Sequence, residues 1–219
     1  MGASANDPNA SSDEMPQHRV YLEAFWIDQT EANNANFTQC VTDGVCHPRL
    51  YTPYSDGVTS ATHLDYYSNP IYANYPVILY DGDEAQTFCH WAGKRLPAEA
   101  EWEKAARGTD GRTFPWGEGI DCQRASYFEC EKDTTPVDAH PAGASPYGAL
   151  NMAGSVWEWV VDGSSPAYDP ATGVTYAVRG GGWRSNPETL RTTSRMRGTM
   201  QHYFDSQIGF RCALNALVP

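Results

Sequence analysis

The sequence lacks the features of membrane-inserted and nucleic-acid-binding proteins. It has no apolar run of membrane-spanning length, so no membrane insertion is expected. Positive charge is scarce, because 15 Lys and Arg stand against 27 Asp and Glu and give a formal net charge of −12. Nucleic-acid backbones and anionic membrane surfaces attract charge of the opposite sign. We therefore expect no nucleic acid among the partners of this chain.

The chain also lacks the residue spacings of common catalytic and metal centres. None of its six cysteines forms a Cys-x-x-Cys unit, so a zinc site is not expected. Its six histidines show no close ligand spacing, and no Gly-Lys-Ser/Thr follows Gly180-Gly181-Gly182 to make a phosphate-binding loop. No Ser-His-Asp triad can be argued from the sequence. We interpret Glu99, Glu101 and Glu103 as helix-dipole partners on a solvated face rather than as catalytic acids.

The cysteines are the main indication of compartment, because residues 1–19 are polar and contain no signal-peptide h region. Cys40 with Cys46 and Cys122 with Cys130 would close short loops. Disulfides are the favoured interpretation of the even cysteine count, and they form in oxidising compartments. A cell-surface or extracytoplasmic location is therefore expected. Six buried thiols in a cytoplasmic protein are the alternative.

Residues 1–219 are expected to form a single α+β domain with much irregular structure. The 19 Gly and 15 Pro imply many turns, while 12% aromatic and 19% charged residues are typical of a globular chain. Helix periodicity and end signals predict helices over residues 33–43, 83–92 and 97–107. The predicted strands are residues 20–28, 176–183, 190–197 and 207–214. In the last strand, alternate residues from Ile208 to Leu214 are apolar, which predicts one buried face.

Four sequence segments, in this order and spacing, resemble the formylglycine-generating enzyme, or sulfatase-modifying-factor, domain family. The segments are WAGKRLPAEAEWE at 91–103, PWG at 115–117, NMAGSVWEW at 151–159, and RGGGW at 179–183 followed by IGFRCA at 208–213. The resemblance covers nearly the whole chain and implies a C-type-lectin-like fold with irregular backbone around small sheets. It also implies a disulfide between Cys89 and Cys212. Family members usually begin with a strand before the element that matches Met1-Gly2, so the chain is expected to be cut from a longer protein.

The resemblance also argues against catalysis by this chain. The family's oxidase needs two thiols, which bind copper, between its Gly-Gly strand and its Gly-Phe-Arg strand. Residues 183–195 contain no Cys, and Ser185 and Leu190 stand roughly where the thiols would be. Copper(I) needs soft thiolate ligands. We therefore expect no copper and no enzyme activity, and a metal-dependent oxidase remains only an alternative.

Residues 179–213 also resemble the variable regions of proteins that are diversified by retroelements. The framework Arg-Gly-Gly-x-Trp, Leu-Arg and Ile-Gly-Phe-Arg-Cys-Ala is present, and polar or aromatic residues stand between its parts. The resemblance implies a non-catalytic binding protein for a protein or glycan ligand. The predicted ligand-binding residues are Arg184, Ser185, Asn186, Thr189, Thr192, Ser194, Met196, Thr199, Met200, His202, Tyr203, Phe204 and Ser206. An ordinary loop of a sensor or accessory domain, such as a kinase-associated one, is the alternative.

One structural calcium site is also implied by the resemblance. Its ligands would be the side chains of Asn151 and Glu158 and the backbone carbonyls of Gly154 and Val156. All-oxygen ligation suits a hard cation. A structural turn, with Asn151 and Glu158 satisfied by backbone donors, is the alternative.

Overall fold

A computed structural model describes residues 1–48, 65–79, 81–162, 175–197 and 207–216. Three short helices and six short strands connect through long stretches of irregular chain, as expected for an α+β domain. The helices are α1 Asn34–Thr42, α2 Gly82–Trp91 and α3 Glu99–Arg107. The strands are β1 Phe25–Ile27, β2 Trp157–Val161, β3 Tyr176–Arg179, β4 Arg195–Arg197, β5 Ile208–Gly209 and β6 Ala213–Asn215. Within the described ranges, no helix is long and apolar enough to cross a membrane.

Two small sheets organise the chain. The antiparallel pair β1–β6 sets Trp26 opposite Leu214. The second sheet has the order β4-β3-β2-β5, in which β2 runs antiparallel to β3 and parallel to β5. Strand β2 therefore pairs on one side with β3, which ends at Arg179, and on the other with β5, which begins at Ile208.

The helices begin and end where the sequence predicts, to within two residues. The Asn33 side chain caps α1 by accepting from the Asn36 N–H, and Asp81 caps α2 by accepting from the Asp83 N–H. At α3, Glu101 reaches back to accept from the Ala98 N–H at 2.8 Å, and Gly108 ends the helix with a φ of +68°.

The largest cluster of buried apolar residues lies between α1, α2 and the C-terminal strands. The Phe88 ring lies 5.8 Å from the Phe37 ring and 5.2 Å from the Phe210 ring, measured between centroids. The Cys89–Cys212 disulfide joins α2 to the final segment beside these rings, as the resemblance implies. Closing a loop of this length contributes about 4–5 kcal/mol on the chain-entropy model.

The two other expected disulfides are present, Cys40–Cys46 and Cys122–Cys130, and no cysteine is free. The interpretation as six buried thiols is therefore wrong. Disulfides persist in oxidising environments, which points to an extracytoplasmic compartment.

The glycines before Trp183 allow close backbone packing on a buried indole. Gly180 has a φ of +95°, and a Cβ there would lie 3.1 Å from Cζ2 of Trp102. Trp102 is fully buried in a cluster with residues of β2 and β3. A side chain at residue 180 would therefore clash with the indole as well as strain the backbone.

The strand predictions are only partly correct. Of residues 20–28, only β1 is a strand, and residues 207–214 are split into β5 and the start of β6. The expected single buried face is wrong, because Arg211 is fully buried while Leu214 is 44% exposed. Strand β2, which is buried except at Val161, has no counterpart among the predicted strands.

Candidate functional site

Ser185 and Leu190, which stand roughly where the family's oxidase has its thiols, carry no sulfur. The Ser185 hydroxyl oxygen accepts from the Gly182 N–H at 2.9 Å and so closes a tight turn. Leu190 is fully buried in a cluster that includes Phe114 and Tyr127. All six cysteines are consumed by disulfides, so the chain offers no thiolate for a copper ion.

Two buried arginines fix the backbone of the region that the sequence assigns to ligand binding. Arg179 Nη1 donates to the carbonyls of Thr193 and Ser194, and its Nη2 donates to Glu103 at 2.6 Å. Arg191 Nη2 donates to Glu14 at 2.7 Å. Residues 191–194 are thus held from both sides, and their own side chains have little freedom to meet a ligand.

The predicted ligand-binding residues divide by exposure into three groups. Arg184 and Asn186 are exposed, and Thr189 and Met196 are half-buried. Ser185, Thr192 and Ser194, which are also among the predicted ligand-binding residues, are buried. The Thr192 hydroxyl, for example, donates to the carbonyl of Arg112 at 2.9 Å. The remaining six lie outside the described residues: Thr199, Met200, His202, Tyr203, Phe204 and Ser206.

Arg184 is exposed but held in one position. Its guanidinium carbon lies 4.5 Å from the ring centroid of Trp183, which is itself buried. Its backbone N–H donates to the side-chain oxygen of Gln207 at 3.1 Å. Gln207 directly follows the predicted binding positions in the chain, so this hydrogen bond joins the first and last residues of the 184–207 region.

An exposed aromatic residue of another segment, Phe128, is hydrogen-bonded to the backbone of Ser185, which follows Arg184 in the chain. Phe128 is 54% exposed, and its N–H donates to the carbonyl of Ser185 at 3.1 Å. The Lys132 ammonium lies 5.0 Å from the Phe128 ring centroid and also donates to the Phe128 carbonyl. The Cys122–Cys130 disulfide closes this loop. We name the surface formed by Phe128, Lys132, Arg184 and Asn186 the Arg184–Phe128 surface.

The side chains implied as calcium ligands have protein partners. Glu158 is fully buried and accepts from Arg211 Nε and Nη2, each at 2.7 Å, and from Trp102 Nε1 at 2.8 Å. Asn151 Nδ2 donates to Glu31 Oε2 and to the carbonyl of Val137, each at 3.0 Å.

These contacts do not fit a calcium ion at Glu158. A guanidinium already compensates the charge of Glu158, and a cation there would have to compete with Arg211. Burial raises the pKa of the neighbouring Glu31 to about 7. The described residues contain no group of three His, Cys, Asp or Glu that could hold a metal. Calcium at Asn151, Gly154, Val156 and Glu158 remains a prediction.

The acids of α3 are buried, and the expectation of a solvated face is wrong. Glu101 accepts from both Nη atoms of Arg95, at 2.6 and 2.7 Å. Glu103 pairs with Arg179 and Arg107, and Glu99 pairs with Arg195. The pKa of Glu103 is lowered because the two guanidinium groups outweigh the effect of burial, which alone would raise it. Glu99 and Glu103 thus join α3 to β3 and β4 through Arg195 and Arg179.

Comparison with known proteins gives a match over almost the whole chain. The family model described as "Sulfatase-modifying factor enzyme 1-like domain" matches residues 1–216. The formylglycine-generating enzyme of Streptomyces coelicolor is 31% identical over 274 residues, which cover 99% of this chain and 86% of the enzyme. The serine/threonine-protein kinase pkn1 of Chlamydia caviae is 34% identical over 218 residues. That match covers 92% of this chain, but the chain spans only 34% of the kinase.

Two solved structures share the fold. PvdO from Pseudomonas aeruginosa superposes with a TM-score of 0.74 at 22% identity, covering 99% of this chain and 90% of that protein. Treponema denticola variable protein 1 superposes with a TM-score of 0.62 at 19% identity, covering 88% of this chain and 84% of that protein. The fold is thus found both in relatives named as enzymes and in one named as a variable protein.

Proposed function

The chain belongs to the sulfatase-modifying factor enzyme 1-like domain family, and we propose that it is a non-catalytic, ligand-binding member of that family. Its ligand would contact the Arg184–Phe128 surface together with the predicted positions between residues 199 and 206. The observation that carries the proposal is the chemistry of residues 185 and 190. A hydroxyl engaged with the backbone and a fully buried leucine stand where the oxidase chemistry needs two thiols.

The cysteine inventory supports the same conclusion. Copper(I) and a substrate thiol both require a reactive sulfur, and an intact structural disulfide supplies no thiolate. Each of the six cysteines is paired within the chain. Reassigning one of them to catalysis would require breaking a bond that closes a structural loop.

The arrangement of scaffold and surface supports binding. Arg179 and Arg191 fix the backbone from inside, while Arg184 and Asn186 face solvent. Loops on a rigid scaffold can vary in sequence without loss of the core. Exposed aromatic rings supply contact area at low entropic cost, arginine is enriched at binding hot spots, and short polar groups add adaptable hydrogen bonds. We therefore propose a protein or glycan ligand.

A binding screen with matched variants tests the proposal. Wild-type protein would be applied to a glycan array and to an array of extracellular proteins, beside Arg184→Ala, Phe128→Ala and the exposed control Gln123→Ala. We expect a ligand whose binding weakens in the first two variants and not in the control. Oxidation of a cysteine-containing peptide in the presence of copper would overturn the non-catalytic assignment.

Diversification by a retroelement is proposed from the framework residues between 179 and 213. The gene neighbourhood tests it directly. We expect a near-copy of the 3′ coding segment that differs at adenines, next to a reverse transcriptase gene. A neighbourhood without both elements would remove the diversification and leave the binding role to be tested on its own.

A second candidate is a sensor or accessory domain of a larger protein. The match to about a third of a protein kinase favours it, because the same domain is joined there to other sequence. Sequencing the full gene separates the two candidates.

We also propose an extracytoplasmic location, which maleimide labelling of the protein from its native cells would test. Labelling without prior reduction would contradict it.

A further inference from the structure

A second polar site lies around Arg107, the last residue of α3. Arg107 is 7% exposed, and its Nη1 donates to the carbonyl of Gly2 at 2.8 Å and to Glu103 at 2.9 Å. Its Nε is buried and has no acceptor within the described part of the chain. Its Nη2 likewise donates to no described residue. These two nitrogens share the edge of the guanidinium plane that points away from Nη1. Two nearly parallel donors thus have no described acceptor, and Nε is buried whereas Nη2 is open to solvent.

Unused donors on a buried charged group are costly. A buried polar group without a partner costs about 1–3 kcal/mol, and a charged group costs more. Most buried polar groups in folded proteins therefore have a partner, and an exception calls for an explanation. The free edge of Arg107 is explained if a bound molecule supplies the acceptor.

Space for such a molecule is present. Arg107 lines a cavity of about 320 Å³ between the N-terminal segment and residues 191–193, together with Ser4, Asn6 and Arg112. It also lines an adjoining open cleft of about 810 Å³. The smaller volume is at the lower end of the range for small-molecule sites.

Gly111 lies where these two spaces meet and keeps them open. A Cβ on Gly111 would lie 3.4 Å from Arg107 Nη2 and 3.9 Å from Gln17 Nε2. The backbone at Gly111 has a φ of +79°, which also disfavours a side chain there. The guanidinium edge and the Gln17 amide thus converge on one small open region.

The other arginines of the cavity have an acceptor at every guanidinium nitrogen. Arg191 pairs with Asp7 and Glu14, and Arg112 pairs with Asp110. The Arg107 edge is therefore the directional donor that remains. Because each arginine that lines the cavity is paired with an acid, a ligand with a single negative charge fits better than a doubly charged phosphate.

We infer that this cavity binds a small molecule through a carboxylate seated on Nε and Nη2 of Arg107. A planar carboxylate matches two parallel N–H donors, and the resulting bidentate pair is among the stronger hydrogen-bonded contacts in proteins. The Gln17 amide would donate a further hydrogen bond. This site shares no residue with the Arg184–Phe128 surface, so the result of its test does not depend on the proposed function.

Arginine side-chain NMR tests the inference on the wild-type protein. The probes are acetate, its uncharged analogue acetamide, and inorganic sulfate, all at matched ionic strength. Acetate should shift the Nε–Hε signal of Arg107 saturably, acetamide should not, and sulfate should act more weakly. An Arg107 signal unmoved by acetate, or moved equally by acetamide, would overturn the inference. Parallel shifts of all arginine signals would show a nonspecific ionic effect and overturn it as well.

Variants provide the assignment and a control. Arg107→Lys keeps the positive charge next to Glu103 and Gly2 but removes the two-donor edge. It should remove the assigned signal and weaken acetate binding at least about tenfold, as expected for loss of hydrogen bonds to a charged group. Arg184→Lys, at the other surface, should leave acetate binding unchanged. Equal acetate binding by wild type and Arg107→Lys would contradict the inference.

Discussion

Arg211 and Glu158 are both fully buried and are joined by two hydrogen bonds of 2.7 Å. Arg211 also donates to the carbonyls of Asp28, Gln29 and Leu150. The pair therefore ties β2, the segment after β5 and the segment after β1 to one point. This contact explains why a charged residue interrupts each of two buried segments.

Glu158→Gln should destabilise the protein strongly. The substitution leaves the guanidinium of Arg211 buried without its hydrogen-bonded carboxylate, and breaking a buried ion pair in this way costs about 3–5 kcal/mol. Urea denaturation of wild type and variant measures the loss. Glu188→Gln is the matched control, because Glu188 is exposed and should change the free energy of unfolding by less than about 0.5 kcal/mol. Equal stability of the two variants would contradict a structural role for the pair.

Calcium should have little effect on stability. A specific site filled at a hundred times its dissociation constant would add about 2.7 kcal/mol to the free energy of unfolding. Because Arg211 already compensates Glu158, we expect a gain of less than about 0.5 kcal/mol. Denaturation in calcium and in a chelator measures the difference. A full gain that disappears with the chelator would restore the calcium site predicted from the sequence.

Acid should weaken the attachment of the N-terminal segment. Burial alone would raise the pKa of Glu14, but hydrogen bonds from Arg191 and Thr193 outweigh it and lower that pKa below its ordinary value of 4.5. A carboxylate with a lowered folded-state pKa stabilises the fold above pH 4.5, and this stability is lost as the pH falls toward the folded-state pKa. Glu14→Gln should be less stable than wild type at pH 7 and lose less stability between about pH 5 and pH 3. Parallel pH profiles would contradict the prediction.

Phe210→Ala should cost about 3–5 kcal/mol, because the ring is fully buried against Phe88. Leu214→Ala is the control from the same segment, since Leu214 is 44% exposed and its loss should cost far less. Tyr203→Ala, at a predicted binding position outside the described residues, should cost less than about 0.5 kcal/mol if that position is exposed. Thermal melts compare the three. A Tyr203→Ala loss as large as that of Phe210→Ala would place residue 203 in the core.

The helices can be predicted from sequence because their end signals are local. Asn33 and Asp81 cap α1 and α2 from directly adjacent positions, and Gly108 ends α3. The strands cannot be bounded in the same way. Residues 20–28 have strand composition throughout, yet only Phe25–Ile27 finds a partner strand. Partner availability is a tertiary property that a single segment does not encode.

The site is predictable only in part, for the same physical reason. Exposure of Arg184 is predicted from its position between the framework residues of the resemblance, but burial of Thr192 depends on the carbonyl of Arg112. Phe128 carries no local sign of function, since its place beside Ser185 arises from the folding of two distant segments. The Cys122–Cys130 spacing was the one available hint, because it marks the loop as constrained.

Removing the Cys122–Cys130 disulfide should free Phe128 from the candidate surface. On the chain-entropy model, closing a loop this short contributes about 2–3 kcal/mol, so Cys122→Ser with Cys130→Ser should lower the stability of the fold. The Cys40–Cys46 disulfide closes a loop of similar length, with a sequence separation of 6 rather than 8 residues. The same paired change at Cys40 and Cys46 is therefore the matched control.

The two double variants should lose similar global stability but differ locally. The Phe128 N–H donates to the Ser185 carbonyl at 3.1 Å, and an amide in such a bond exchanges slowly with solvent only while the loop stays closed. Hydrogen exchange measured by NMR should show faster exchange at Phe128 in the Cys122/Cys130 variant. In the Cys40/Cys46 variant it should rise only by the amount that global destabilisation explains. Equal acceleration in both would mean that the disulfide does not position Phe128, and the ring would then be an incidental exposed residue and not part of a held binding surface.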